Sequence, residues 1–347
     1  MDYSFIIPVY NCKEYLSACV ESIQAVGAKA YEILLIDDGS TDGSGELCDA
    51  LAAQYPEVRV IHQPNSGASA ARNRGIWVAR GESVLFLDAD DSIDSKSLGA
   101  ILADPRCHQA DLVIFGLIFD YYYHGNCYRR DPLCFDAEGI LKEETWGSSF
   151  EELFLHNSLS PIWNKVYKRE ILQRHRLELN EKMFLYEDLE FVLRYMQHCG
   201  IILNVPAAVY HYRQPEDEGN AGRRLRRIGS LPEFLVPIET ALMGLENVSG
   251  EQKDAILVQL HQTVARGKIA VSDLAGIKKI CQEYAQWYRE REMTVGQNRF
   301  HQQMTEGKAV SLLLQSKKTA LRHAIAVRVK ALYQNYSRRK ICIPDNR

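Results

Sequence analysis

Four short runs of apolar and β-branched residues, at 4–9, 32–36, 58–62 and 83–87, punctuate the first hundred positions of the chain. Each is too short for a helix of ordinary length and reads as a strand buried on both faces. Between them, apolar residues recur at three- and four-residue spacing over 13–25, 44–54 and 69–79, the period of amphipathic helices. Asn11 is placed to cap the first of these helices, and Gly81 is placed to end the third. Strand and helix in alternation predict βαβ units around a mostly parallel sheet, so the fold class expected is α/β. A longer apolar segment at 111–122 predicts another strand, followed by a less regular aromatic and charged region to about residue 148. Helical spacing returns at 150–156, 168–174 and 188–198, and 201–212 predicts a last strand. The polar run 214–222 reads as a loop or linker. Beyond it the pattern is helical to the end. The expected division is therefore a sheet domain over 1–215 and a helical region over 216–347.

Charge changes this picture at one end. The net charge is −4, yet residues 307–347 hold ten Lys/Arg and one acid, which leaves −13 for residues 1–306. An acidic body argues against nucleic acid as a partner. Within the basic stretch, residues 317–340 place Leu321, Ile325, Val329 and Leu332 at helical spacing, with Arg322, Arg328, Lys330 and Arg338 around them. That pattern suits an interfacial helix on an anionic membrane surface, or equally a terminal helix docked on the protein's own core. The apolar run at 5–9 is broken by Lys13 and Glu14, too soon for a secretory leader, and no stretch approaches the length of a membrane span. A cytoplasmic location is expected, peripheral to the inner face of the plasma membrane if the tail binds lipid. The nine cysteines are odd in number and form no C-x-x-C pair, so neither a disulfide framework nor a zinc knuckle is indicated.

Ligands of doubly wound sheets bind just past the carboxyl ends of the strands, and four polar segments fall there. They are Pro8-Val9-Tyr10-Asn11, Asp37-Asp38-Gly39-Ser40-Thr41-Asp42, the stretch Asn65 to Asn73 with its Ala71-Arg72-Asn73, and Asp88-Ala89-Asp90-Asp91. In this order they resemble the family 2 glycosyltransferases of the GT-A fold, and Trp163-Asn164-Lys165-Val166-Tyr167-Lys168 and Tyr186-Glu187-Asp188 extend the resemblance over residues 3–213. The resemblance implies a donor part at 1–105, an acceptor part at 106–215 and a metal-dependent, inverting transfer of sugar. The donor would be a nucleotide-sugar, typically a UDP-sugar, and the acceptor a saccharide or lipid-linked hydroxyl in cell-surface polysaccharide or glycolipid synthesis.

The chemistry of such a transfer states what these residues must supply. Charge builds on the departing diphosphate and calls for a divalent cation, Mn²⁺ or Mg²⁺, on hard oxygen ligands. The resemblance assigns Asp90 as metal ligand, with Asp88 or the backbone of Ala89 near the ribose. The alternative is that Asp88, Asp90 and Asp91 cap a helix beginning near Asp94. Asp38 matches the position that accepts a hydrogen bond from the base, and Gly39 offers the positive φ of a tight turn. The alternative is an ordinary capped strand-to-helix turn. Pro8 and Tyr10 belong to the donor-facing first turn, where Tyr10 could lie against the base or simply pack. Arg72 resembles the arginine that family members place near the donor, where its forked donors could reach a phosphate; Arg74 competes for the role, and the alternative for either is a surface charge. Asp188 matches the base that takes the acceptor proton, its alternative being a helix N-terminal acid. His211 could complete a metal shell, or pack. After Arg213 the sequence departs from the family pattern, with an acidic stretch and then a cluster of arginines at 223–227. Two rival functions remain: a haloacid-dehalogenase-like phosphohydrolase, because a strand also runs into Asp88-Ala89-Asp90, and a donor-binding paralogue without catalysis.

Overall fold

The structure is a computed structural model that describes residues 1–28, 30–123, 126–135, 139–155, 159–214, 224–291, 293, 298–309, 311–312 and 315–316. The basic helix expected at 317–340 lies outside the described residues, as do Arg223 and all but the first residue of the 214–222 stretch.

The alternation read from the sequence appears as β1 (Tyr3–Val9), α1 (Lys13–Gln24), β2 (Tyr31–Asp37), α2 (Ser44–Gln54), β3 (Val58–His62), α3 (Ala68–Val78) and β4 (Ser83–Phe86). These four strands lie side by side in the order β3-β2-β1-β4, all parallel. The central strand explains its own position: Phe5, Ile6, Ile7 and Val9 are all fully buried, so both faces of β1 must be covered, which crossover helices achieve. α1 meets that need with Leu16, Cys19, Val20 and Ile23 at helical spacing on its buried face.

Past β4 the sheet continues through β5 (Ser92–Ile93), α4 (Ser95–Ala103), α5 (Pro105–Gln109), β6 (Leu112–Tyr123), β7 (Asn126–Leu133), β8 (Gly139–Lys142), α6 (Glu143–Leu155), β9 (Lys165–Lys168), α7 (Arg169–Arg174), α8 (Glu187–Met196) and β10 (Ile201–Gln214). The full order is β3-β2-β1-β4-β9-β6-β10-β5, with β7 on β6 and β8 on β10. β9 is antiparallel to both β4 and β6, whereas β10 runs parallel to β6. The class is α/β with a mostly parallel sheet, as expected.

Local expectations fail in instructive places. Asn11 does not cap α1. It sits at φ 51° one residue earlier, Cys12 takes the cap position, and no side chain caps the helix there. Gly81 is not a left-handed cap either, since α3 ends on Ala79. Its value is a close approach, because a Cβ at Gly81 would lie 2.5 Å from both Ser4 N and the carbonyl carbon of Tyr3. The Gly81 N–H donates to Ser4 Oγ at 2.8 Å, and that hydroxyl donates to Glu32 Oε1 at 2.7 Å. Gly81→Ala is therefore expected to cost about 1–3 kcal/mol as an overpacked site. A urea melt checks this, and an unchanged midpoint would mean that β1 and β4 can part cheaply here.

Two compact units divide the chain, Met1–Glu218 with Pro237–Ile256, and Gly219–Val236 with Leu257–Arg347. Beyond residue 224 the described elements are helices: α9 (Leu231–Met243), α10 (Gly250–Ala270), α11 (Leu274–Glu290) and α12 (Arg299–Thr305). In the second unit, Ile277, Ile280, Cys281 and Tyr284 form a buried face, and His261 stacks on Trp287 with ring centroids 3.5 Å apart. No helix among the described residues is long and apolar enough to cross a membrane.

Candidate active site

The first two polar turns are tied into one rim. Asn11 Oδ1 accepts from Thr41 N at 2.8 Å, Ser40 Oγ accepts from Asn11 N at 3.2 Å, and Asp42 Oδ2 accepts from Lys13 N at 3.2 Å. Gly39 takes φ 73°, the left-handed conformation expected of it, and a Cβ there would meet Asn65 N at 2.9 Å. The capping alternative for this turn holds for two of its acids. Asp37 accepts from Ser40 N at 3.0 Å and Asp42 from Ser44 N at 2.9 Å. Asp38 does something else. Its buried carboxylate accepts from Ser66 N, Gly67 N and Gln63 Nε2, each at 2.8 Å, and so fixes the loop that opens α3. Tyr10 projects beside this rim with 53% of its surface exposed, whereas Pro8 is part of β1 and pairs with Ile36.

Three charged side chains from distant parts of the chain converge behind that rim. Arg72, on α3, donates from Nη2 to Asp88 Oδ1 at 2.6 Å, and its Nη1 lies 3.6 Å from Asp188 Oδ1 on α8. Arg72 is 5% exposed and bridges the two carboxylates. Arg74 is exposed. The Nε of Arg72 and Oδ1 of Asp188 are both buried without a hydrogen-bond partner, an arrangement that is costly unless something else uses it.

Asp188 keeps 24% of its side chain open to solvent. Burial pushes its carboxyl up from 3.8 to about 7, and Arg72 opposes the rise. Glu187 and Asp88 push it further up, and Lys165 pulls it down. Asp188 makes no cap at the start of α8, whose N-cap is Tyr186 at φ 63°. Asn73 holds the approach to that helix, accepting from Leu179 N at 2.7 Å and donating to Leu179 O and Glu181 Oε1 at 3.0 Å. A carboxyl poised near neutrality in a partly open site is matched to proton abstraction at physiological pH.

The four-residue turn after β4 is divided between structure and solvent. Asp94, not Asp88, Asp90 or Asp91, caps α4, accepting from Ser97 N at 2.8 Å, which removes the capping alternative. Asp91 is buried and accepts from Tyr210 Oη and from Arg213 N, both at 2.7 Å. Tyr210 Oη in turn accepts from Asp88 N at 3.0 Å, and Trp163 stacks on the rings of Tyr210 and Tyr212 at 4.0 and 5.3 Å. Ala89 is buried, whereas the side chain of Asp90 faces outward and has no ion pair among the described residues. Burial, and after it the charge of Asp88, raise the Asp90 carboxyl. Asp91 is raised further by burial and by Asp88 and Asp90. Crowded like charges of this kind are the condition a cation relieves. His211 is held by Asp120 through Nδ1 at 3.1 Å. No three His, Cys, Asp or Glu residues gather as a metal-binding group among the described residues.

The sequence did not reveal the anchoring roles of Asp91, Tyr210, Asn73 and Trp163. The only visible signal was their membership of the D-x-D-D, Y-H-Y-R, A-R-N and W-N-K strings.

The profile described as glycosyl transferase family 2 matches residues 4–173. Glycosyltransferase GlyG of Streptococcus pneumoniae is 43% identical over 280 residues, 76% of this chain and 83% of its own length. With several other curated relatives the match spans 60% of the relative's length. Among solved structures, residues 1–349 of S. aureus TarS in complex with UDP-GlcNAc superpose with a TM-score of 0.67 at 19% identity, over 93% of this chain and 92% of that one. The mannosyltransferase PcManGT of Pyrobaculum calidifontis, in complex with GDP-Man and Mn²⁺, gives 0.50 at 16% identity, over 96% and 87%. At these identities the structural likeness concerns the fold.

Proposed function

This chain belongs to glycosyl transferase family 2, and from that premise we propose that it moves a sugar from a nucleoside-diphosphate donor to an acceptor hydroxyl with inversion. The observation that carries the reading is Asp188, a carboxyl lifted to about 7 beside Arg72 and the Asp88 turn. In this reading Asp188 takes the proton of the acceptor hydroxyl as its oxygen attacks the anomeric carbon, and the nucleoside diphosphate departs from the opposite face. The UDP-GlcNAc of the TarS complex supports a uridine nucleotide as the first donor to try. Tyr10 would lie against the base. Asp38 would hold loop 63–67 around it, with its remaining acceptor capacity turned to the base. Asp88 and Ala89 would border the ribose.

The residues present fit a divalent cation bound together with the donor. Asp90 supplies one outward carboxylate without an ion pair among the described residues, and Mg²⁺ or Mn²⁺ commonly takes one or two carboxylates plus substrate phosphates. Such an ion would neutralise charge on the departing diphosphate. His211, with Nδ1 engaged by Asp120, has its other nitrogen available as a further ligand. The GDP-Man and Mn²⁺ of PcManGT support the pairing of metal and donor. The acceptor is a saccharide or lipid-linked hydroxyl in cell-surface polymer synthesis. The site of action would be the cytoplasmic membrane face, with residues 317–340 on anionic lipid. A haloacid-dehalogenase-like reading has no place beside the family assignment.

Titration calorimetry of UDP, GDP and dTDP, each with and without Mn²⁺, tests the donor site. One diphosphate is expected to bind in a Mn²⁺-dependent way, and Asp90→Asn is expected to lose most of the metal enhancement, about tenfold or more in affinity. Binding of none of the three would sink the reading.

A further inference from the structure

Arg213 stands at the far end of β10, one residue past the Trp163-stacked Tyr212, and its side chain has no place in the roles described so far. Its guanidinium lies between two aromatic faces, 3.6 Å from the ring centroid of Tyr122 on β6 and 4.5 Å from that of Tyr15 on α1. Its backbone N–H is fixed to Asp91 Oδ1 at 2.7 Å, which pins this point of the strand to the acidic turn. Stacking occupies the two faces of a guanidinium and leaves its in-plane N–H donors free for acceptors at the edge. Among the described residues no carboxylate lies within ion-pair distance of this side chain, and none of its N–H groups has an acceptor. The other two arginines of this corner differ. Arg129 pairs with Asp131, and Arg130 with Asp120. Arg213 is half-buried, and its backbone tie to Asp91 holds it at the turn that carries the outward Asp90. A cation held rigid on two rings, with its donors unspent, beside the carboxylate assigned to the donor site, is a preorganised receptor for an oxyanion.

We propose that Arg213 donates hydrogen bonds to the phosphoryl oxygens of the donor's diphosphate, on the side opposite Asp90, with Tyr15 and Tyr122 as the walls that hold its guanidinium in place. The inference rests on the donor reading above and adds to it a residue and a place for the leaving-group charge. A diphosphate seated there is held between the Asp90 side and an arginine stacked on two half-buried tyrosines. The arrangement also predicts discrimination by phosphate: UDP gains from Arg213, whereas uridine does not reach it.

The test is calorimetry of UDP and of uridine, both with Mn²⁺, on the full chain and on Arg213→Gln, Arg213→Lys and Tyr122→Leu, with thermal melts as the check on folding. For Arg213→Gln, UDP affinity is expected to fall about tenfold to a hundredfold, the range for losing hydrogen bonds to a charged group, while uridine affinity is unchanged. Arg213→Lys keeps the charge but neither the fork nor the stack, and should also lose affinity, by several-fold. Tyr122→Leu should weaken UDP without affecting uridine. Undiminished UDP binding in a folded Arg213→Gln would overturn the inference and leave the donor reading intact. If Arg213→Gln does not fold, undiminished binding by Arg213→Lys overturns it. Failure of the unaltered protein to bind any diphosphate removes the donor reading and this inference together.

Discussion

Asp188→Asn is expected to lower kcat by about 10²–10⁴-fold, the usual contribution of a positioned general base, while UDP binding is retained. Asparagine keeps the size of the side chain and the space beside Arg72, so what is lost is the capacity to accept a proton. The same residue sets the pH dependence. With its carboxyl near 7, activity of the unaltered protein should rise about tenfold per unit below that value and level off above it, because only the ionised form is a base. The stability change runs the opposite way. A folded-state value above the unfolded one means that the folded chain holds a proton the unfolded chain has released, between about 3.8 and 7. Stability from this group is therefore present in acid and is lost as pH rises through that window. Asp188→Asn removes the liability, so at pH 8 the inactive variant should be the more stable, by on the order of 1 kcal/mol or more, and near pH 4 the difference should vanish. Thermal melts at the two pH values and a pH–rate profile measure both effects. A variant that is inactive but no more stable at pH 8 would mean that Asp188 is not held against its charge.

Much of this could be seen in the sequence because strand ends are easy to locate. β1 to β4 are short apolar runs, and the polar residues immediately past them had to meet at one edge of a parallel sheet. That logic placed Asp38, Asp88, Asp90 and, through the helix after β3, Arg72 near one another. It did not say which atoms they touch. Asp38 and Asp90 belong to similar strings, yet one is enclosed by Gln63, Ser66 and Gly67 and the other faces outward. That difference depends on the path of a loop, which carries no period. β7 was missed for a related reason. Its residues alternate between half-buried and exposed with no apolar side to mark them, NCYRRDPL, so neither period stood out. The pairing of Arg72 with Asp188, 116 positions later in the chain, has no local signal at all. The anchoring of the acidic turn by Tyr210 was equally invisible, since a tyrosine in a strand reads as packing until its hydroxyl is seen between Asp91 and the Asp88 amide.

Arg72→Gln should do more damage than a surface arginine could, and the damage should depend on pH. The side chain is 7% exposed and faces two carboxylates, Asp88 at 2.6 Å and Asp188 at 3.6 Å. Removing it leaves both without their shared countercharge, and breaking a buried pair from one side costs roughly 3–5 kcal/mol. Asp188 has an escape: with Arg72 gone its carboxyl should rise above 7 and take up a proton, which relieves the repulsion with Asp88 and Glu187. The loss of stability should therefore be largest at pH 8 and smaller at pH 5.5, and the pH–rate midpoint should move upward with it. At neutral pH less of the base is then ionised and kcat falls further. Two controls isolate the cause. Arg72→Lys keeps the charge and should retain part of the stability, without the forked geometry that spans both acids. In the Asp188→Asn background the cost of Arg72→Gln should shrink, because only Asp88 is left unpaired, and the coupling between the two changes is expected to lie at about 0.5–3 kcal/mol. Urea denaturation of the four proteins at both pH values gives the cycle. Additive effects and an unmoved pH midpoint would mean that Arg72 serves Asp88 alone, and that the charge state of Asp188 is set by burial without it.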